Sequence, residues 1–232
     1  MYSTSDAVSF DSPSGVTNSI YISATSDNLA SAIMFYQGKY WLAYENDAVP
    51  GSNYFSIARA DTYGGPYTHY LDVTVRTGPV GAHFVWNPRW FVDDDDSIHI
   101  NVNSGDCGVD CFQDSNGQPY ILDALNADLT SWSTPTVVTG TFPDNMIDTL
   151  IISPANSPNG KYNIWYKNET TKYVEYMSSS SLKSGYTVTQ SGDWAGWGSG
   201  KEGPILLKVG STWRLYLDRF LAATGYAYTD IS

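Results

Sequence analysis

Four stretches of this sequence open at a turn residue and then alternate apolar with polar positions: "GKYWLAYE" from Gly38, "DSIHINVN" from Asp96, "GKYNIWYK" from Gly160 and "GSTWRLYLD" from Gly210. A period of two is the spacing of a β-strand, and the turn residue in front makes each the second strand of a hairpin. A more continuous apolar run precedes each one, "SAIMFYQ", "HFVWNPRWFVD", "IDTLIIS" and "EGPILLKV". Such runs suit strands covered on both faces. A third alternating phrase follows each, beginning "YFSIARA", "YILDALN", "YVEYMSS" and "GYAYTDIS". The unit is therefore three or four antiparallel strands, recurring every 50 to about 60 residues.

All-strand repeats of that length bury their faces against one another, which predicts an all-β chain folded as a β-propeller. Four blades read between residues 30 and 230. Residues 1–29 hold two more strand-like pieces, "MYSTSDAVSF" and "SIYISATSDNL", expected to complete a fifth blade or to close the ring. A β-sandwich is the alternative architecture, but it gives no reason for so long a repeat. Gly, Pro and Ser scatter through turns rather than pooling into a linker, so residues 1–232 are expected to form one domain.

Charge narrows the partners. With 24 acidic against 12 basic residues the chain carries a formal −12, which repels nucleic acid and anionic membranes. Eighteen Tyr and 8 Trp suit a sheet-rich secreted protein. The first residues lack the basic and apolar regions of a signal peptide, so a secreted protein of this kind is expected to have had its signal removed or replaced. Cys107 and Cys111 in "GDCGVDCF" are too few for a disulfide framework or a zinc site and read as a small loop-pinning disulfide. Asn168 in "KNET" is a glycosylation sequon, and the run Asp93 to Asp96 reads as a solvated turn.

Two carboxylates stand out. Asp148 opens one inner-strand run and Glu202 opens another, 54 residues on and so about one repeat away. Inner strands of a propeller line its channel, so the pair is expected to meet at one mouth. Trp194 and Trp197 in "GDWAGWGSGK" are candidates for an aromatic wall, which stacks on the C–H face of a sugar ring. Paired carboxyls are what glycosidic cleavage needs: one gives a proton to the leaving oxygen, the other activates water or attacks the sugar.

Across "VWNPRWFVDDDDSIHI", "IDTLIIS", "WYKNETTKYVEY" and "GDWAGWGSGKEGPILLKVGSTWRLYLD", the chain resembles the five-bladed propeller enzymes of glycoside hydrolase family 43, which include arabinofuranosidases, xylosidases and arabinanases. The resemblance implies an inverting mechanism with three acids. Glu202 in "KEGP" matches the general acid and Asp148 in "MIDT" the Asp that tunes it. The general base does not carry over: Ala30 stands at its place, and Asp27 is the nearest substitute. Arg89 stands where many relatives have Glu, bringing a fork of donors toward the pocket. Trp86 and Arg219 are further candidates for contact with the sugar.

The function expected is a secreted glycoside hydrolase acting on plant or microbial polysaccharide, with arabinose- or xylose-type glycosides first. Its partner is an oligosaccharide or polysaccharide, with neither nucleic acid nor membrane, and it is expected to act as a monomer. The resemblance implies no required cofactor and a structural calcium ion in the channel. Ala30 motivates a second reading, a sugar-binding propeller with impaired chemistry. A third is a polysaccharide lyase on the same scaffold, using Arg89 with a Tyr or with His83 or His99.

Overall fold

Each predicted hairpin forms. A computed structural model describes residues 32–45, 51–79, 81–107, 116–219 and 226–231. The first sheet runs in chain order through β1 (Ala32–Tyr36), β2 (Lys39–Glu45), β3 (Tyr54–Ala60) and β4 (Thr68–Thr74). The second does the same with β5 (His83–Val92), β6 (Ile98–Asp106), β7 (Gln118–Asp123) and β8 (Thr136–Val137). A short strand β9 (Gly140–Thr141) then precedes β10 (Met146–Ile152), β11 (Tyr162–Asn168), β12 (Val174–Ser179) and β13 (Tyr186–Gln190). That third sheet is ordered β10-β11-β12-β13-β9, with β9 adding in parallel at its outer edge. The fourth comprises β14 (Glu202–Val209), β15 (Thr212–Asp218) and β16 (Tyr226–Ile231).

The core lies between sheets, which is what makes the arrangement a β-propeller. Strand alternation sends successive side chains to opposite neighbours. On β11, Ile164 and Tyr166 pack toward the second sheet with Phe91 and Ile121, while Trp165 between them packs toward the fourth with Leu206, Leu215 and Leu217. Met34, Trp41 and Ile57 of the first sheet meet Val85, Ile100 and Leu122 of the second in the same way. A strand sandwiched between two apolar neighbours needs apolar residues at every position, hence the near-continuous runs in the sequence.

Four sheets are found among the described residues. The fifth blade was expected from residues 1–29, which lie outside the described residues. Cys107 is disulfide-bonded, as the close pair of cysteines suggested, and Cys111 also lies outside the described residues. The acidic turn is more than solvated: Asp93 accepts a hydrogen bond from the Tyr162 hydroxyl (2.9 Å to Oδ2) and Asp94 Oδ2 one from the Ala155 N–H (3.0 Å). Both donors belong to the third sheet's hairpin connection or its second strand, so the turn pins the second sheet to the third.

Buried polar side chains tie each sheet to the inner strand of the next. Asn103 Oδ1 accepts from both the N–H and the Oγ1–H of Thr149, each at 3.0 Å, and Asn101 Nδ2 donates to the Thr149 carbonyl at 2.8 Å. Glu45 Oε1 accepts the N–H of Asn87 at 2.5 Å. All five side chains are buried, so losing one partner strands the other without water. Replacing Asn103 with Ala is expected to cost about 1–3 kcal/mol, read as a lower urea midpoint with an unchanged slope; an unaltered midpoint would contradict the bridging role.

Candidate active site

Three inner strands share one irregularity. The register of β5 against β6 slips between Trp86 and Arg89, that of β10 against β11 between Ile147 and Leu150, and that of β14 against β15 between Glu202 and Ile205. Each slip holds one residue in the left-handed region: Asn87 (φ 53°), Asp148 (φ 55°) and Gly203 (φ 58°). Asn, Asp and Gly are the types that tolerate this conformation. A bulge bends a strand and re-aims the side chains around it, here at equivalent points on three neighbouring blades.

The bulges answer why a core strand begins with a carboxylate. Asp148 occupies a position that selects for a left-handed residue, and it is equivalent to Gly203 rather than to Glu202. Glu202 stands one place earlier, level with Trp86 and Ile147. The two acids nevertheless converge: Asp148 Oδ2 accepts the N–H of Gly203, the residue joined to Glu202, at 3.0 Å. Arg89 reaches past the third sheet to the fourth, donating from Nη1 to the Pro204 carbonyl (2.6 Å) and from Nε to Asn87 Oδ1 (3.0 Å). Its charge favours the ionised form of Asp148.

Lys167 completes the cluster. Its ammonium lies 2.7 Å from Glu202 Oε2 and 2.7 Å from Glu169 Oε1, and Glu169 is also paired with Lys172. Sequence reading missed Lys167 and Glu169, because a charged pair at a strand end resembles an exposed terminus. The available signal was the spacing itself, Lys-Asn-Glu immediately before the "TTKY" turn.

Burial sets the protonation of this group. It pushes the Asp148 carboxyl above the usual carboxylate range, against the pull of Arg89, the Gly203 N–H and Lys167. Burial likewise raises Glu202, against Lys167, with Asp148 and Asp218 adding to the rise. Glu169 is opposite in sign: burial raises it, but hydrogen bonds from Lys167 and Lys172 hold it below its ordinary value. The arrangement therefore offers two carboxyls that keep protons longer than usual, beside one that stays charged.

The remaining candidates are spread over several elements. Trp86 is half-buried one residue before its bulge, its ring 4.1 Å from that of Phe84. Trp194 and Trp197 are half-buried in the apolar cluster between the third and fourth sheets, with Trp165 and Tyr176, and Trp194 Nε1 donates to the Val174 carbonyl (2.9 Å). Arg219 is exposed just past β15. Asp27 and Ala30 lie outside the described residues. His83, on the bulged strand β5, pairs with Asp106, and His99, on β6 opposite Phe91, pairs with Asp123 and Ser97.

Among the described residues no three His, Cys, Asp or Glu side chains converge as a metal site. No step below runs through a metal. Asn168 is buried, donating to Glu175 Oε2 (3.1 Å) and accepting from the N–H groups of Thr170 and Thr171. The sequon is thus spent on a turn.

Similarity to solved structures is extensive. An exo-β-1,3-galactanase from Phanerochaete chrysosporium superposes with a TM-score of 0.71 at 19% identity, over 100% of this chain and 53% of that one. The chain has the fold of family-43 glycoside hydrolases. A family-43 β-1,3-galactosidase gives 0.69 at 12% identity over 100% of this chain and 81% of that one. An α-L-arabinofuranosidase from Clostridium thermocellum gives 0.58 at 18% identity over 85% of this chain. The chain spans 62% of the arabinofuranosidase and 53% of the galactanase. No protein-family model and no curated protein sequence matches it.

Two outcomes follow from this geometry. Protein secreted by a eukaryotic host is expected to carry no glycan at Asn168, checked by intact mass; a glycosylated, folded fraction would contradict the buried position. Carboxyls whose folded values are raised stabilise most below the ordinary carboxylate range, and that benefit is lost as pH rises through the raised values. Asp148→Asn is therefore expected to gain stability relative to the unaltered protein as pH rises above the ordinary carboxylate range, measured as the difference in Tm; a gap that narrows or reverses on that rise would refute the assigned shift.

Proposed function

We propose that the protein is a glycoside hydrolase acting on galactosyl chains of plant polysaccharide, with Glu202 as the general acid and Asp148 as the residue that tunes it. The observation that carries this reading is the convergence of two half-buried carboxyls from neighbouring blades, joined through the Gly203 N–H. Both hold protons above the usual range, as a group donating to a leaving oxygen must near neutral pH. Glu202 is the better donor by position, since its side chain retains 29% of its exposure. Asp148 is committed to the Gly203 N–H, and its negative charge makes Glu202 more reluctant to ionise.

The substrate class rests on the neighbours that overlap the whole chain. The galactanase was solved with β-1,3-galactotriose bound after one glutamate had been replaced by Ala or Gln, and the β-1,3-galactosidase with galactodeoxynojirimycin. The arabinofuranosidases overlap less, with TM-scores of 0.58 and 0.61. Galactosyl substrates are accordingly placed ahead of the arabinosyl and xylosyl ones first expected. If the chemistry is family-like, water attacks from the face opposite Glu202 and the anomeric configuration inverts.

A specific observation also favours the binding-only reading. In the free protein Glu202 is hydrogen-bonded to an ammonium, which favours its ionised form and opposes acid catalysis. The experiment that separates the two is hydrolysis of β-1,3-galactotriose, arabino-oligosaccharide and xylo-oligosaccharide by the unaltered protein and by Glu202→Gln. The hydrolase reading expects product from galactotriose and a fall of about 10²- to 10⁴-fold in kcat for the variant. Affinity without product from any of the three supports the binding protein, and full activity in Glu202→Gln refutes the acid assignment.

A further inference from the structure

We propose that Lys167 is a positioning residue for Glu202: its single ammonium, shared between Glu202 and Glu169, holds the acid's carboxyl at the channel mouth and sets its charge state. The proposal rests on Glu202 being the acid named above.

Strand geometry aims Lys167 at the site. It lies two residues from Trp165 on β11 and shares its face, the one that packs on the fourth sheet, and it pairs across to Ile147 of the bulged strand. Large apolar residues fill that interface elsewhere, and an apolar side chain there would bury as well. A charged amine that is only 6% exposed is costly unless it is paired, and a well-packed hydrophobe is commonly as stable as a buried ion pair. Packing alone therefore gives no reason for a lysine.

Charge supplies the reason. The groups facing Glu202 from neighbouring strands are Asp148 on β10, Asp218 opposite it on β15 and Lys167 on β11. The first two are negative and disfavour a charged Glu202. Arg89, the other nearby cation, is committed to Pro204 and Asn87. Among the described residues Lys167 is thus the cation that bonds the Glu202 carboxyl, and Glu169 limits how fully it does so. Glu169 is itself fixed, by Lys172 and by its own N–H donating to the Asn145 carbonyl (2.9 Å). The row Lys172–Glu169–Lys167–Glu202 places a divided positive charge beside the acid, enough to orient it without holding it fully ionised.

Two substitutions should move Glu202 in opposite directions. Without the ammonium, in Lys167→Met, Glu202 keeps its proton to higher pH, by about one unit or more. Without its competitor, in Glu169→Gln, the ammonium turns further toward Glu202, which then loses its proton at lower pH. The readout is the titration of the Glu202 side-chain carboxyl by ¹³C NMR, assigned with Glu202→Gln, alongside the alkaline limb of kcat/KM on β-1,3-galactotriose, which should follow both shifts. A residue that merely packs would move both variants the same way or neither, and either result overturns the proposal. If Lys167→Met does not fold, Glu169→Gln decides alone: a downward shift supports the pairing, and no shift or an upward one overturns it. Lack of hydrolysis by the unaltered protein counts against the hydrolase reading, while the NMR midpoints still decide the pairing.

Discussion

The hydrogen bonds that cross from one sheet to the inner strand of the next govern both the packing and the site. A propeller blade is held to its neighbours mainly by non-directional apolar contact, which tolerates sliding of one sheet over another. Directional bonds to bulged backbone remove that freedom. Glu45 holds the bulge of β5, Asn101 and Asn103 hold that of β10, and Asp148 holds that of β14. Arg89 then ties the second sheet to the fourth through Pro204. The same bonds that fix the sheets in register bring Asp148 and Glu202 into one cluster, so structural and chemical demands fall on the same few residues.

Most of the fold was legible because hairpins leave a period-two trace with turn residues between the strands. "GKYNIWYK" becomes β11 and "GSTWRLYLD" becomes β15, each as the second strand of its sheet. The register of the acids was not legible. A spacing of 54 residues, about one repeat, made Asp148 and Glu202 look equivalent, but the bulges set Asp148 level with Gly203, and a single extra residue in a strand leaves no periodic mark. The clue present was chemical: Asn-Pro, Asp-Thr and Gly-Pro occupy matching places on three blades, each led by a residue that tolerates positive φ.

Side-chain type was a weaker guide to role than position. Trp194 and Trp197 read as a sugar-stacking wall, yet aromatics serve equally to fill a sheet interface, and both pack with Trp165 and Tyr176. Asn168 read as a glycosylation sequon and is a buried turn-former. Lys167 drew no attention, since a strand-end lysine is ordinarily solvated; only the approach of the fourth sheet turns it inward to Glu202.

What these interactions assemble is a small group of charges in which burial, more than any one partner, raises the pKa of two carboxyls above their ordinary values. The most direct test is a crystal structure of Glu202→Gln with β-1,3-galactotriose. The account predicts a glycosidic oxygen within hydrogen-bonding distance of the substituted side chain, with Asp148 still bonded to the Gly203 N–H and Trp86 bordering the sugar. A trisaccharide seated away from this cluster, or side chains at 148 and 202 facing separate cavities, would contradict it.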